Sequence, residues 1–404
     1  MTSHGKIIFL ALYIIFIVYG SLFPLAEWRP PHQDIWSVWL QGLPERTSRS
    51  DLLTNLLVYI PFGFLLSINF PKKSNPMLRL LLVTVLGTAL SFIMEYLQMF
   101  LPARTSSLND ILLNAVSSCV GGVCAWGLGK QSRMGTKLRT QRQLWFHAGR
   151  VTDIGLIILG AWVLMQLAPF VPSLDFGDIK NGLKPIWFTL QDLSRFDLYK
   201  TATYSLYIAA LGAALILVLM NSRFIFLWYL LFVGTVLLCK ITIVGRQLSL
   251  EALAGFCGAT IVMFILQRLP RQLLPLLGIC LIASGFTVDE LRPDISFAAD
   301  FHEFSWVPFG GQMGDNLKGI GSIVEGLWPF AAMAYFFIAS GVGKRKALVA
   351  FCGGGLAFIV FILECAQRQI PGRYPDMTTV LLAVMGWSLP WLFSPDGMTG
   401  VIKD

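Results

Sequence analysis

The sequence predicts an all-α, polytopic integral membrane protein with about twelve transmembrane helices. Three observations lead there. Apolar residues make up 55% of the 404 positions and charged residues only 13%, where a soluble domain carries about 25% charged residues. The mean hydropathy is +0.66. The apolar residues fall in runs of roughly twenty, the length that crosses a hydrocarbon core as a helix. The runs are too long for strands and lack alternation, and a helix satisfies its own backbone hydrogen bonds in lipid. This composition excludes a disordered chain, a nucleic-acid-binding domain and an ordinary soluble enzyme.

The first span covers 6–25. Its apolar stretch exceeds a signal-peptide core, and Pro24 and Glu27-Trp28-Arg29 follow where a small-residue cleavage site would stand. It therefore reads as a retained helix. Spans at 53–70, 77–100 and 108–128 complete a first group. A second group lies at 152–171, 202–220, 223–243 and 250–268. The third is 272–288, 320–340, 346–369 and 377–394, with Pro275 near the start of the first and Gly326 and Pro329 interrupting the second. Three long connections, 26–52, 172–201 and 289–319, are rich in Trp, Pro, Gly and Asp. They suit short interfacial helices, and Trp28, Trp36, Trp39, Trp187 and Trp306 suit a membrane–water boundary.

The seven cysteines are an odd number without a CxxC pair, so they read as small buried apolar residues rather than a disulfide framework. The four histidines are scattered. No metal site and no cofactor is expected. Gly310-Gly311-x-x-Gly314 follows no strand and reads as a connection, not a phosphate loop. Asp175, Asp178, Asp192 and Asp197 are too dispersed for a calcium loop. Gly353-Gly354-Gly355 reads as close helix packing.

The basic residues set the expected orientation. With a cytoplasmic N-terminus, seventeen lysines and arginines fall on inside segments, six of them between Lys130 and Arg150. The short outside turns carry Arg104, Lys240, Arg246, Arg368 and Arg373. The positive-inside rule then places both termini in the cytoplasm and the turns holding Arg104 and Arg373 outside.

A polar motif occurs twice. Glu95-x-x-Gln98-x-x-x-Pro102-x-Arg104 recurs as Glu364-x-x-Gln367-x-x-x-Pro371-x-Arg373, 269 positions later, the same distance that separates Pro24 from Pro293. This suggests two related four-helix units, 1–130 and 272–396, flanking a central block at 151–270. Each part crosses the membrane an even number of times, so the repeats are expected to be parallel.

The first unit resembles the VanZ-like family. The resemblance lies in Tyr19-x-x-x-x-Pro24, Asp51-x-x-x-Asn55, Pro61-Phe62-Gly63, Glu95-x-x-Gln98, Pro102-x-Arg104, Asp110-x-x-x-Asn114 and Gly121. The second unit reads as a degenerate copy that keeps Glu364, Gln367, Pro371, Arg373 and an acid at Asp376, with Val380 in place of Asn114. The resemblance implies an integral membrane protein of the cell envelope, in the inner membrane of a bacterium. Family members are linked to teicoplanin resistance or stand as domains without an established reaction.

Glu95 and Gln98 share a helix face, as do Asp110 and Asn114. Pro102 ends the helix, and Ser107 with Asp110 has the spacing of a capping box. A tight hairpin would gather Glu95, Gln98, Arg104, Asp110 and Asn114 into one outward-facing cluster. Gly121 and Gly122 would admit a neighbouring helix closely. One reading is structural: Glu95 pairs with Arg104 or bonds across the hairpin. The other is a ligand site, in which Arg104 grips a phosphate or carboxylate bidentately, Gln98 and Asn114 orient hydroxyl or amide groups, and Glu95 exchanges a proton. The corresponding second-copy residues are Glu364, Gln367, Arg373 and Asp376. No nucleophile–base pair is evident, so binding is favoured over catalysis. The expected partners are the bilayer and a lipid-linked or glycopeptide ligand. The rival readings are a flippase for an amphipathic substrate and an enzyme acting on an exopolysaccharide or isoprenoid-phosphate head group.

Overall fold

The computed structural model describes residues 3–31, 49–71, 74–129, 132–168, 171–220, 223–293, 301–313, 316–342 and 345–392. Trp36, Trp39, Lys130 and Gly314, all named in the sequence reading, lie outside them, as does the side chain of Asp51. The described residues are helical, and nine helices among them are long and apolar enough to cross a membrane. Three shorter apolar helices, Thr54–Asn69, Leu250–Leu266 and Met377–Leu392, stand where further spans were expected. The protein is a multi-pass, all-α membrane protein.

The helices are α1 (Ser3–Leu22), α2 (Arg49–Asn69), α3 (Pro76–Gln98), α4 (Leu108–Gly127), α5 (Arg133–Trp145), α6 (Arg150–Leu167), α7 (Phe176–Gln191), α8 (Leu198–Val218), α9 (Ile225–Cys239), α10 (Leu250–Leu266), α11 (Leu274–Glu290), α12 (Gly310–Met313), α13 (Asn316–Ala339), α14 (Lys346–Gln367) and α15 (Met377–Leu392). The basic stretch after α4 forms helix α5. Gly310 and Gly311 begin the short α12, where a connection was expected.

The chain divides into two compact units, Met1–Arg142 with Gly310–Gly319, and Gln143–Phe309 with Ile320–Asp404. The first holds α1 to α4. Here small residues replace a large apolar core. A Cβ on Gly63 would lie 2.1 Å from the Ser118 carbonyl oxygen, one on Gly121 2.1 Å from that of Ile60, and one on Gly87 2.1 Å from Ser118 Oγ. Lipid tails are as apolar as leucine, so close backbone approach rather than hydrophobic burial draws such helices together. Ile17, Tyr59 and Phe62 form one small cluster, and Leu22, Met94 and Leu101 another. Outward residues such as Ile15 and Met77 are exposed apolar groups, as a lipid-facing surface requires. At the start of α3, Asn75 Oδ1 accepts from Met77 N at 2.9 Å and Pro76 occupies the first turn.

In the second unit the central block and the last four spans share one core, with α8 in the middle. Every residue from Ile208 to Leu219 is buried. Gly255 and Gly285 admit Tyr204 and Tyr207 of α8 at distances that a Cβ would fill. The indole Nε1 of the buried Trp328 donates to the Ile158 carbonyl at 3.0 Å. Of the glycine triplet, only Gly353 is in close contact, against Trp387; nothing lies within 4 Å of a Cβ on Gly354 or Gly355. Arg246 closes the end of α6 by donating to the carbonyls of Met165 and Ala168 and pairs with Glu325 at 2.9 Å.

Helix α7 fills part of the connection expected to be interfacial. Ile179, Gly182, Ile186 and Thr189 form its inner stripe, and Gly182 lies against the backbone of Ile241. Phe176, Lys180, Leu183, Trp187 and Leu190 form an adjoining, exposed stripe. This pattern is that of a helix lying in the headgroup region with lysine snorkelling. Trp187 fluorescence is expected to be strongly quenched by lipids brominated near the headgroup, in a variant whose other tryptophans are replaced by phenylalanine; unquenched emission would place this face in water.

Candidate functional site

In the turn between α3 and α4, the motif residues bond to the ends of neighbouring helices. The last carbonyls of a helix and the first N–H groups of the next have no partners within their own helix. Three carbonyls at the end of α1 are satisfied from this turn. Gln98 Nε2 donates to Ser21 O at 2.9 Å, Arg104 Nε to Phe23 O at 2.9 Å, and Arg104 Nη2 to Gly20 O at 3.0 Å. A cation at a helix C-terminus is also favoured by the helix dipole. Glu95 serves the opposite pole: its Oε2 accepts from Ser107 N, at the start of α4, at 2.8 Å. One carboxylate therefore holds a helix beginning while one amide and one guanidinium hold a helix end.

Three sequence expectations are corrected here. Arg104 directs these bonds to α1 carbonyls rather than to Glu95, so its Nε–Nη2 edge is occupied and not open to a phosphate. The Ser107 side chain makes no capping hydrogen bond; Glu95 supplies the cap from another helix. Gln98 is the last residue of α3, because the chain turns there through Phe100 N to Leu97 O and Leu101 N to Gln98 O. Partial burial of Arg104 pulls its pKa below the ordinary guanidinium value, yet so basic a group stays charged.

Asp110 and Asn114 face a different set of partners, deeper along α4. Asn55 Nδ2 of α2 donates to Asp110 Oδ1 at 2.7 Å. Asn114, only 4% exposed, donates through Nδ2 to Ser91 Oγ of α3 at 2.8 Å. Tyr59 of α2 lies beside Ser91. Asn114 Oδ1 and, one turn on, Ser118 Oγ are buried without a hydrogen-bond partner. By hydrogen bonding the five motif residues divide into a helix-end clamp (Glu95, Gln98, Arg104) and a polar seam where α2, α3 and α4 meet (Asp110, Asn114), with Glu95 and Asp110 close enough to interact electrostatically. Ser91, Tyr59 and Ser118 were not singled out from the sequence. Ser91 was findable, since Ser91, Glu95 and Gln98 follow at helical spacing on one face of α3. Ser118 gave no signal, because its role depends on Gly63 and Gly87 of other helices.

The second motif has closely parallel bonds. Glu364 Oε2 accepts from Asp376 N at 3.0 Å, and Arg373 Nε donates to Arg292 O at 2.8 Å. These pairs stand 269 positions after Glu95–Ser107 and Arg104–Phe23. Gln367 Nε2 bonds Glu290 Oε2, and Glu290 stands 269 positions after Ser21. Asp376 therefore matches Ser107 in position rather than Asp110, and its Oδ1 caps α15 through Thr379 N at 3.2 Å. By the same offset Ala383, not Val380, matches Asn114. Among the described residues no group of three His, Cys, Asp or Glu is placed to hold a metal ion.

Comparison with curated proteins and with solved structures finds no match. Residues 7–129 match the VanZ/LLP1 family model, so the helices that build the clamp and the polar seam form a VanZ-like domain of this membrane protein.

Proposed function

We propose that the protein is a cell-envelope component whose VanZ-like domain binds a polar or lipid-linked ligand. On the distribution of basic residues, both termini are cytoplasmic and the Arg104 turn faces outward. The single observation carrying the reading is the polar seam: Asn114 Oδ1 is a buried acceptor without a partner, beside the Asn55–Asp110 pair. A buried polar atom without a hydrogen bond is costly, and a ligand offering an amide or hydroxyl donor would satisfy it. In this reading Glu95, Gln98 and Arg104 hold the frame, and Asp110 and Asn114 meet the ligand. Residues 272–396 act as a degenerate second copy packed with the central block 151–270. A part in glycopeptide resistance follows from the family resemblance.

Native mass spectrometry of the purified protein tests this. Wild-type protein is expected to carry a defined envelope lipid, and the Asp110→Ala, Asn114→Leu double variant to lose most of it at equal abundance. Undiminished lipid in the variant would reject the reading. A flippase is the second reading, favoured by the buried Lys240 and Glu251 of the second unit.

A further inference from the structure

The two turns share a bonding skeleton but differ at the end of the helix they clamp. In the first, Gln98 meets a neutral main-chain carbonyl and Arg104 uses both Nε and Nη2. In the second, Gln367 meets the carboxylate of Glu290 instead. Arg373 keeps the Nε bond, but its Nη2 is buried without an acceptor. One carboxylate has been added, and one guanidinium arm released.

Charge balance sharpens the difference. Glu364 and Gln367 are buried, 2% and 3% exposed. Glu290 and Glu364 lie close enough to interact electrostatically with each other and with Arg373. The neighbouring cation Arg292 is already shared by Asp197 at 3.7 Å and Asp289 at 4.0 Å. Arg368 is paired with Glu303 at 2.7 Å. Counted as ionised, Glu290, Glu364 and the neighbouring Asp376 face one guanidinium in a low-dielectric setting, where an unbalanced charge is costly. Among the described residues the site therefore lacks both a cation for the carboxylates and an acceptor for Arg373 Nη2. The described residues offer no three-ligand metal set to supply the cation.

We propose that this turn binds a zwitterion: a primary ammonium between Glu290 and Glu364, and an anionic oxygen on Arg373. Gln367 positions the Glu290 carboxylate for it. At the end of the α11 and α14 spans the fitting source is a phosphoethanolamine lipid headgroup; a free small zwitterion has the same chemistry. The proposal does not rest on the ligand reading of residues 7–129.

The test uses the full-length protein in nanodiscs of phosphatidylethanolamine mixed with phosphatidylcholine, whose quaternary ammonium cannot donate hydrogen bonds. Lipid retained after detergent extraction is counted by native mass spectrometry. Wild type is expected to retain phosphatidylethanolamine in clear preference, and Glu290→Gln and Arg373→Met to lower that preference about tenfold, equal to about 1.4 kcal/mol. Displacement by soluble phosphoethanolamine identifies headgroup recognition; displacement by glycine as well identifies a general zwitterion site. Equal retention of the two lipids by wild type, with neither soluble zwitterion bound, would overturn the proposal whether or not the variants fold. Unchanged preference in both variants would overturn it too.

Discussion

Gly121→Val is expected to leave little folded protein in the membrane. A Cβ at this position would sit 2.1 Å from the carbonyl oxygen of Ile60 and 2.7 Å from the amide nitrogen of Phe64. Both are backbone atoms of α2, so no rotamer change can make room. The helices α2 and α4 would have to separate, which would also break the close approach of Gly63 to Ser118. Overpacking typically costs about 1–3 kcal/mol where side chains can yield. Here the effect should reach or exceed the top of that range, comparable to much of the stability of a small domain. The check is the fraction of protein that elutes as a single species after graded heating in mild detergent. Gly354→Ala is the control: nothing lies within 4 Å of its Cβ, and exchanging glycine for alanine in a helix gains up to about 1 kcal/mol. If Gly121→Val and Gly354→Ala melt alike, the close crossing of α2 and α4 is wrong.

The second large effect is expected at Arg104. Arg104→Leu removes both bonds that close the end of α1 and leaves Gly20 O and Phe23 O without these donors. Hydrogen bonds to a charged group contribute about 1.5–3 kcal/mol each; with partial exposure, a total loss of about 3 kcal/mol is expected. Arg104→Lys should recover less than half, since an ammonium cannot present a planar fork to two carbonyls. Chemical denaturation in detergent micelles measures the series. Full recovery by Arg104→Lys would contradict the two-carbonyl contact of the guanidinium.

Those two expectations mark what each level of description contributes. Amino-acid order alone determined the membrane class and the helical architecture, because a bilayer permits few solutions: a run of about twenty apolar residues must cross as a helix. It also located the polar motif and its recurrence, since glutamate, glutamine and arginine stand out within apolar runs. It did not reveal which groups those side chains meet. Spacing along one helix places Glu95 and Gln98 on a common face, but their partners, Ser107 N and Ser21 O, are main-chain groups whose availability arises only once neighbouring helices end beside them. Of the two structural readings of Glu95, the bond across the hairpin is the one formed, to Ser107 N, while Arg104 turns to unsatisfied helix-end carbonyls. The separation of the clamp from the Asp110–Asn114 seam was likewise decided by packing: Asn55, Ser91 and Ser118 come from three helices that only close glycine contacts bring together. Composition is a property of each residue and survives in the string of letters; a hydrogen-bond partner is a property of two places in space, and folding alone makes them neighbours.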